Sequence, residues 1–101
     1  MSSKVKRPVK RFSEIYEGAI ESEGQLSELI NEEFLIHDVE FKHLNLGEVA
    51  LVTVEIDNEV RKLHTFSRVL IDQLKEIKKH TDKGFSIQVK LVKRKNYYTF
   101  T

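Results

Sequence analysis

A short run near the C-terminus combines the two chemistries that hold an unpaired nucleic-acid strand. Lys93, Arg94 and Lys95 supply cations, and Tyr97, Tyr98 and Phe100 follow at once with aromatic rings. Single-strand binding needs a cationic path along the phosphates and flat faces for the bases, each stacked base being worth about 1–3 kcal/mol. On a regular strand Tyr97 and Tyr98 point to opposite sides. Tyr98 shares a side with Phe100, so Tyr97 is the ring expected to face outward. A solvated turn followed by an aromatic closing strand explains the same residues equally well.

Further candidates lie upstream. In Val60–Phe66, Lys62, His64 and Phe66 share one side, and Arg61, Leu63 and Thr65 the other. If Leu63 faces the core, Lys62 and His64 line the open side of the sheet; if Phe66 is core, His64 goes inward with it. Phe41 and Lys42, before a predicted turn, can contribute in the same way. The candidate nucleic-acid-binding set is therefore Lys62, His64, Lys93, Arg94, Lys95, Tyr97, Phe41, Lys42 and Arg61. Tyr97, His64 and Phe41 are the stacking residues within it.

Catalysis and metal binding have little support. There is no Gly-rich phosphate loop, no Gly-x-Ser-x-Gly and no His-Glu-x-x-His. The chain has no cysteine, which removes disulfides, thiolate metal sites and cysteine nucleophiles. His37 and His43 are about 20 Å apart on an extended strand at ~3.3 Å per residue, too far to share a metal. His37 and Asp38, as strand neighbours, point to opposite faces. Ser67 beside Asp72 is most simply a helix cap. The expectation is a non-enzymatic protein with no cofactor and no metal.

These residues must be positioned by the elements around them. Ser13, followed by Glu14 and Glu17, predicts a helix over 14–21. Leu26, Leu29 and Ile30 predict a shorter helical stretch stopped at Asn31. From residue 33 the period changes to two, and Phe34–Leu44 reads as a long strand with Leu35, His37, Val39, Phe41 and His43 on one side. A bulge there would let Phe34 and Ile36 reach the core as well. Glu48–Ile56 and Val60–Phe66 form a predicted hairpin across Asp57-Asn58-Glu59, with Ala50, Val52, Val54 and Ile56 inward. Ser67 caps a helix over about 68–80 whose apolar stripe is Leu70, Ile71, Leu74 and Ile77. Phe85, Ile87, Val89 and Leu91 alternate as a fourth strand, and Tyr97–Thr101 is a fifth.

At 101 residues there is room for one core and one domain. The net charge of +1 conceals strong segregation. Residues 1–11 are basic without an acid, 12–40 hold nine acids without Lys or Arg, and 41–101 hold twelve Lys or Arg against seven acids. This divides the chain into a flexible basic tail (1–11), an acidic helical prefix (12–31) and a basic body (32–101). No stretch has the apolar run of a signal peptide or membrane span, so the expected location is cytoplasmic, with no membrane partner.

The order helical prefix, then β-β-β-α-β-β, predicts a mainly β fold. A helix between the third and fourth of five strands is the connectivity of the oligonucleotide/oligosaccharide-binding (OB) fold, a partly open Greek-key barrel. Three passages, Leu29–Glu40, Leu63–Leu74 and Val89–Phe100, resemble small OB-fold single-stranded DNA-binding proteins of phages and mobile elements. That resemblance covers roughly residues 25–101. It implies largely sequence-independent protection of single strands during DNA replication or recombination, in the host cytoplasm if the chain is phage-derived. RNA remains an alternative ligand. The rival expectation is a protein-interaction adaptor or self-associating accessory protein, in which acidic prefix and basic body dock partners or a second copy.

Overall fold

The computed structural model describes residues 22–45 and 47–101. The predicted helix over 14–21, the basic tail and the first half of the acidic prefix lie outside the described residues. The rest is mainly β: a five-stranded sheet carrying one α-helix. The elements are β1 (Glu33–Leu44), β2 (Gly47–Ile56), β3 (Glu59–Thr65), α1 (Arg68–Thr81), β4 (Ile87–Lys93) and β5 (Tyr98–Phe100). Their order across the sheet is β3-β2-β1-β4-β5, with every neighbouring pair antiparallel. No helix among the described residues is long and apolar enough to cross a membrane.

β1 is the element on which the sheet turns. Its first residues pair with β4 (Glu33 opposite Lys90, Ile36 opposite Ile87), while Leu35 to Leu44 pair with β2. The register against β2 slips between Ile36 and Asp38, which leaves His37 as an extra residue. An extra residue switches the side on which alternate side chains emerge. Phe34 and Ile36 are buried before the bulge, and Val39 is buried after it. One strand thereby serves both halves of the core, as the mixed pattern of Phe34–Leu44 suggests.

The connections follow local chemistry. Asp57 and Asn58 both have positive φ (53° and 64°), the two-residue turn that matches the twist of a hairpin. Ser67 caps α1, its hydroxyl accepting from the Leu70 N–H at 3.4 Å. Leu70, Ile71 and Leu74 are buried on one face of α1, as its apolar stripe predicts. They join Phe34, Ile36, Val39, Ala50, Val52, Val54, Leu63, Val89 and Leu91 in the main core, with Leu26 and Leu29 added from upstream. Val49 and Leu51, on the opposite face of β2, are buried in a small second cluster with Leu44.

Two expectations are corrected. The fourth strand begins at Ile87, and Phe85 stands outside it with 60% of its surface exposed. The cause is the end of α1: the Phe85 N–H still donates to the His80 carbonyl at 3.1 Å, and Gly84 takes φ 95° to permit it. The upstream helical stretch is only a 3-10 turn, Leu26–Leu29. The residues before it run extended along β3, where the Glu23 N–H donates to Lys62 O (2.8 Å) and the His64 N–H to Gly24 O (3.0 Å). After the turn, Asn31 takes φ 66° and its N–H reaches Leu91 O at 2.6 Å. The same short segment thus touches β3 at one edge of the sheet and β4 near the other, which requires the sheet to curl.

Candidate functional site

β3 decides which face its side chains occupy. Leu63 is fully buried opposite Val52, so Lys62 and His64 lie on the other face, opposite Thr53 and Leu51. His64 is nonetheless only 6% exposed. Its Nδ1 lies 2.8 Å from Ser22 Oγ, and its ring meets Phe66 edge-on at 5.8 Å. Burial holds its pKa below the ordinary histidine value, against the opposing pull of the Gly24 backbone and the Glu28 charge. His64 is accordingly a packed, neutral ring rather than an open stacking platform.

Arg61 points with Leu63 and meets acids from the upstream segment: Glu23 Oε1 at 3.8 Å and Glu28 Oε1 at 3.4 Å. It is a clasp between β3 and the 3-10 turn, on the face away from Lys62. Phe41, expected to stack on bases, is half-buried against the main core instead, because its partner Ala50 faces inward. Lys42 takes the opposite face of β1, across from Val49. The structure therefore does not gather Phe41, Lys42 and Arg61 into one surface with the C-terminal residues.

The β4–β5 connection behaves differently. Lys93, Arg94, Lys95 and Tyr97 are all exposed, Tyr97 by 47%. The Arg94 N–H donates to Tyr97 O at 2.8 Å, closing the turn. Tyr98 and Phe100 pack against the core, Phe100 meeting Phe34 edge-on at 6.4 Å. The outward ring is thus Tyr97 and the inward ones are Tyr98 and Phe100. Lys93 sits opposite Tyr98, its Nζ 5.9 Å from the ring centroid. Among the described residues, no carboxylate pairs with Lys93, Arg94 or Lys95.

Tyr98 also links this basic turn to the end of β3. A pocket of about 220 Å³ is lined by Gln25, Ser27, His64, Thr65, Phe66, Ser67 and Tyr98. Its lining mixes hydroxyls with aromatic rings, and Lys93 stands over one of those rings. A larger recess of about 350 Å³ lies between the start of β1 and the β2–β3 turn. Glu33, Glu55 and Asp57 line it, so its charge opposes phosphate.

One contact is invisible in the spacing of the sequence. His37, the bulge residue, has Nδ1 2.6 Å from Ser86 Oγ and Nε2 2.7 Å from Glu55 Oε1. These contacts join residues from three parts of the chain. What the geometry does is tie the bulge to the end of β2 and to the approach to β4. No group of three or more His, Asp or Glu among the described residues is arranged to hold a metal ion.

Fold and site together define a small, mainly β protein whose exposed basic-aromatic turn adjoins an aromatic pocket. The chain belongs to the family described as Domain of unknown function (DUF8468), whose model matches residues 21–101. No curated protein and no solved structure matches it.

Proposed function

We propose that this chain binds single-stranded DNA, largely independently of sequence, on an OB-type partly open barrel. The strand order β3-β2-β1-β4-β5, with α1 between β3 and β4, supports that fold: it is the cyclic order of the OB barrel opened between β3 and β5. The observation that carries the ligand is the β4–β5 turn, where Lys93, Arg94 and Lys95 have no carboxylate partner among the described residues and Tyr97 is exposed beside them. Cations without partners are available to displace counterions from phosphates, and an exposed ring is available to a base. Lys62 and Lys42 lie apart from that turn, on the outer faces of β3 and β1. Protection of single strands during DNA replication or recombination is the role that such chemistry suits.

Titration of oligo(dT) at several salt concentrations tests this reading. The expected result is affinity that falls linearly on a log–log plot, with a slope of about −0.7 for each phosphate neutralised. No binding at low salt, or binding indifferent to salt, overturns it. Oligo(dU) and oligo(U) in parallel separate DNA from RNA, since those two differ only in the 2′-hydroxyl.

A further inference from the structure

We infer that residues 12–20 lie with their apolar side on the outer face of β2 and β3, and that this acidic layer keeps nucleic acid off that face. The burial of the face is what points to a cover. Val49 is fully buried and Leu51 is 2% exposed, although both stand on the side of β2 away from the main core and α1. A sheet face without a second layer leaves its side chains in water. Among the described residues, the apolar side chain packed against this pair is the half-buried Leu44 at the end of β1. The burial arises within one chain, so the remaining cover belongs to this chain and not to a partner. Outside the described residues stand only position 46 and residues 1–21. Val49 and Leu51 are about 7 Å apart along β2, more than one turn residue covers.

The chain also enters the described residues at this face. Ser22 Oγ is 2.8 Å from Nδ1 of His64, which stands opposite Leu51. Immediately upstream, Phe12, Ile15, Tyr16, Ala19 and Ile20 recur at helical spacing as an apolar stripe. Nine helical residues span about 13 Å at ~1.5 Å each. The crossing from β3 over β2 to β1 is about 10 Å, so the stripe is long enough for the face. The same segment ends in a charge pattern of its own: 12–21 carries Glu14, Glu17 and Glu21 and no Lys or Arg. The face of the second and third strands is the usual ligand surface of an OB fold, and three carboxylates held over it repel phosphate. This consequence for nucleic acid rests on the single-strand reading above; the cover itself does not. It leaves the β4–β5 turn, where Lys93, Arg94 and Lys95 meet no acid among the described residues, as the open place for a strand.

The chain has no cysteine, so a single introduced thiol reports on the cover. In the full chain, Val49→Cys should react with a maleimide at least about tenfold more slowly than Lys95→Cys in the exposed turn. Adding Ile15→Gln and Tyr16→Gln, which removes apolar area without changing charge, should speed the Val49→Cys reaction by about tenfold. Val52→Cys, on the core face, should stay blocked in that background, which separates uncovering from unfolding. If Val49→Cys itself lowers the melting temperature, Leu51→Cys replaces it. Oligo(dT) affinity at low salt should rise by about threefold with Ile15→Gln and Tyr16→Gln, as the carboxylates leave the face. A Val49→Cys rate indifferent to those two substitutions, or one matched by Val52→Cys, overturns the cover. Uncovering without a gain in affinity overturns the shielding and leaves the proposed function standing. Absence of any oligo(dT) binding at low salt overturns the proposed function, and the thiol rates, measured without DNA, still decide the cover.

Discussion

The two basic clusters of the body, at β3 and at the β4–β5 turn, look alike in composition and differ in what surrounds them. Arg61 is met by Glu23 and Glu28, and the backbone N–H of Lys62 donates to the Glu23 carboxylate at 3.3 Å. Lys93, Arg94 and Lys95 meet no acid among the described residues, and their one marked contact is Lys93 over Tyr98. A cation already paired must lose its partner before it can take a phosphate, so its net gain on binding is small. An unpaired, hydrated cation releases the counterions of the phosphate it meets. The acidic segment around the 3-10 turn therefore makes Arg61 structural and leaves the β4–β5 turn available.

The contrast predicts opposite responses to substitution. The largest effect is expected on stability at β3: Leu63→Ala should cost about 2–5 kcal/mol in urea denaturation, because a fully buried side chain leaves a cavity. Lys95→Ala in the exposed turn should stay within about 0.5 kcal/mol. An equal cost at both sites would break the comparison. Next, replacing Lys93, Arg94 and Lys95 together by Ala should flatten the log–log salt slope of oligo(dT) binding by about 2, at ~0.7 per lost phosphate contact. Arg61→Ala should change that slope by less than one such step. It should instead lower stability by at most about 1 kcal/mol, the scale of a partly exposed ion pair.

Tyr97→Ala should weaken oligo(dT) binding by about 1–3 kcal/mol with an unaltered circular dichroism spectrum. Unchanged affinity would remove Tyr97 from the interface. The smallest effect concerns pH. His64 has a depressed pKa in the folded chain, so between that value and the ordinary one of about 6.5 the unfolded chain binds the extra proton. Its contribution to stability is present above about pH 6.5 and is lost as pH falls toward the folded value. Melting temperature should therefore drop on acidification, and drop less in His64→Gln. A steeper fall in the variant would contradict the assignment of His64 as a buried neutral ring.

Several elements were legible because their signals are local. The α1 stripe, the Ser67 cap, the Asp57-Asn58 turn and the alternation of β2 each depend on residues a few positions apart. The bulge at His37 was legible as a conflict, with apolar residues on both sides of Phe34–Leu44. Phe85 was misread because alternation continues through it while the closing hydrogen bonds of α1 still hold it. Tyr97 is the exposed ring, but it stands in the turn before β5, which spans only Tyr98–Phe100 and not the predicted Tyr97–Thr101. Phe41 did not come out as a stacking ring, since its register with Ala50 turns it inward.

The sequence by itself determined the kinds and order of the elements, the segregation of charge, and the presence of cations beside rings near the C-terminus. Only the tertiary structure decided which of those cations are unpaired and which rings are reachable. Glu28 meets Arg61 across 33 residues, Ser22 meets His64 across 42, and Ser86 meets His37 across 49. Local propensity and periodicity carry no information about such pairs. The first two form when the 22–32 segment runs from one edge of the curled sheet to the other, and the third when β1 pairs with β4. The segment's path turns Arg61 into a clasp while leaving Lys93, Arg94 and Lys95 in solvent.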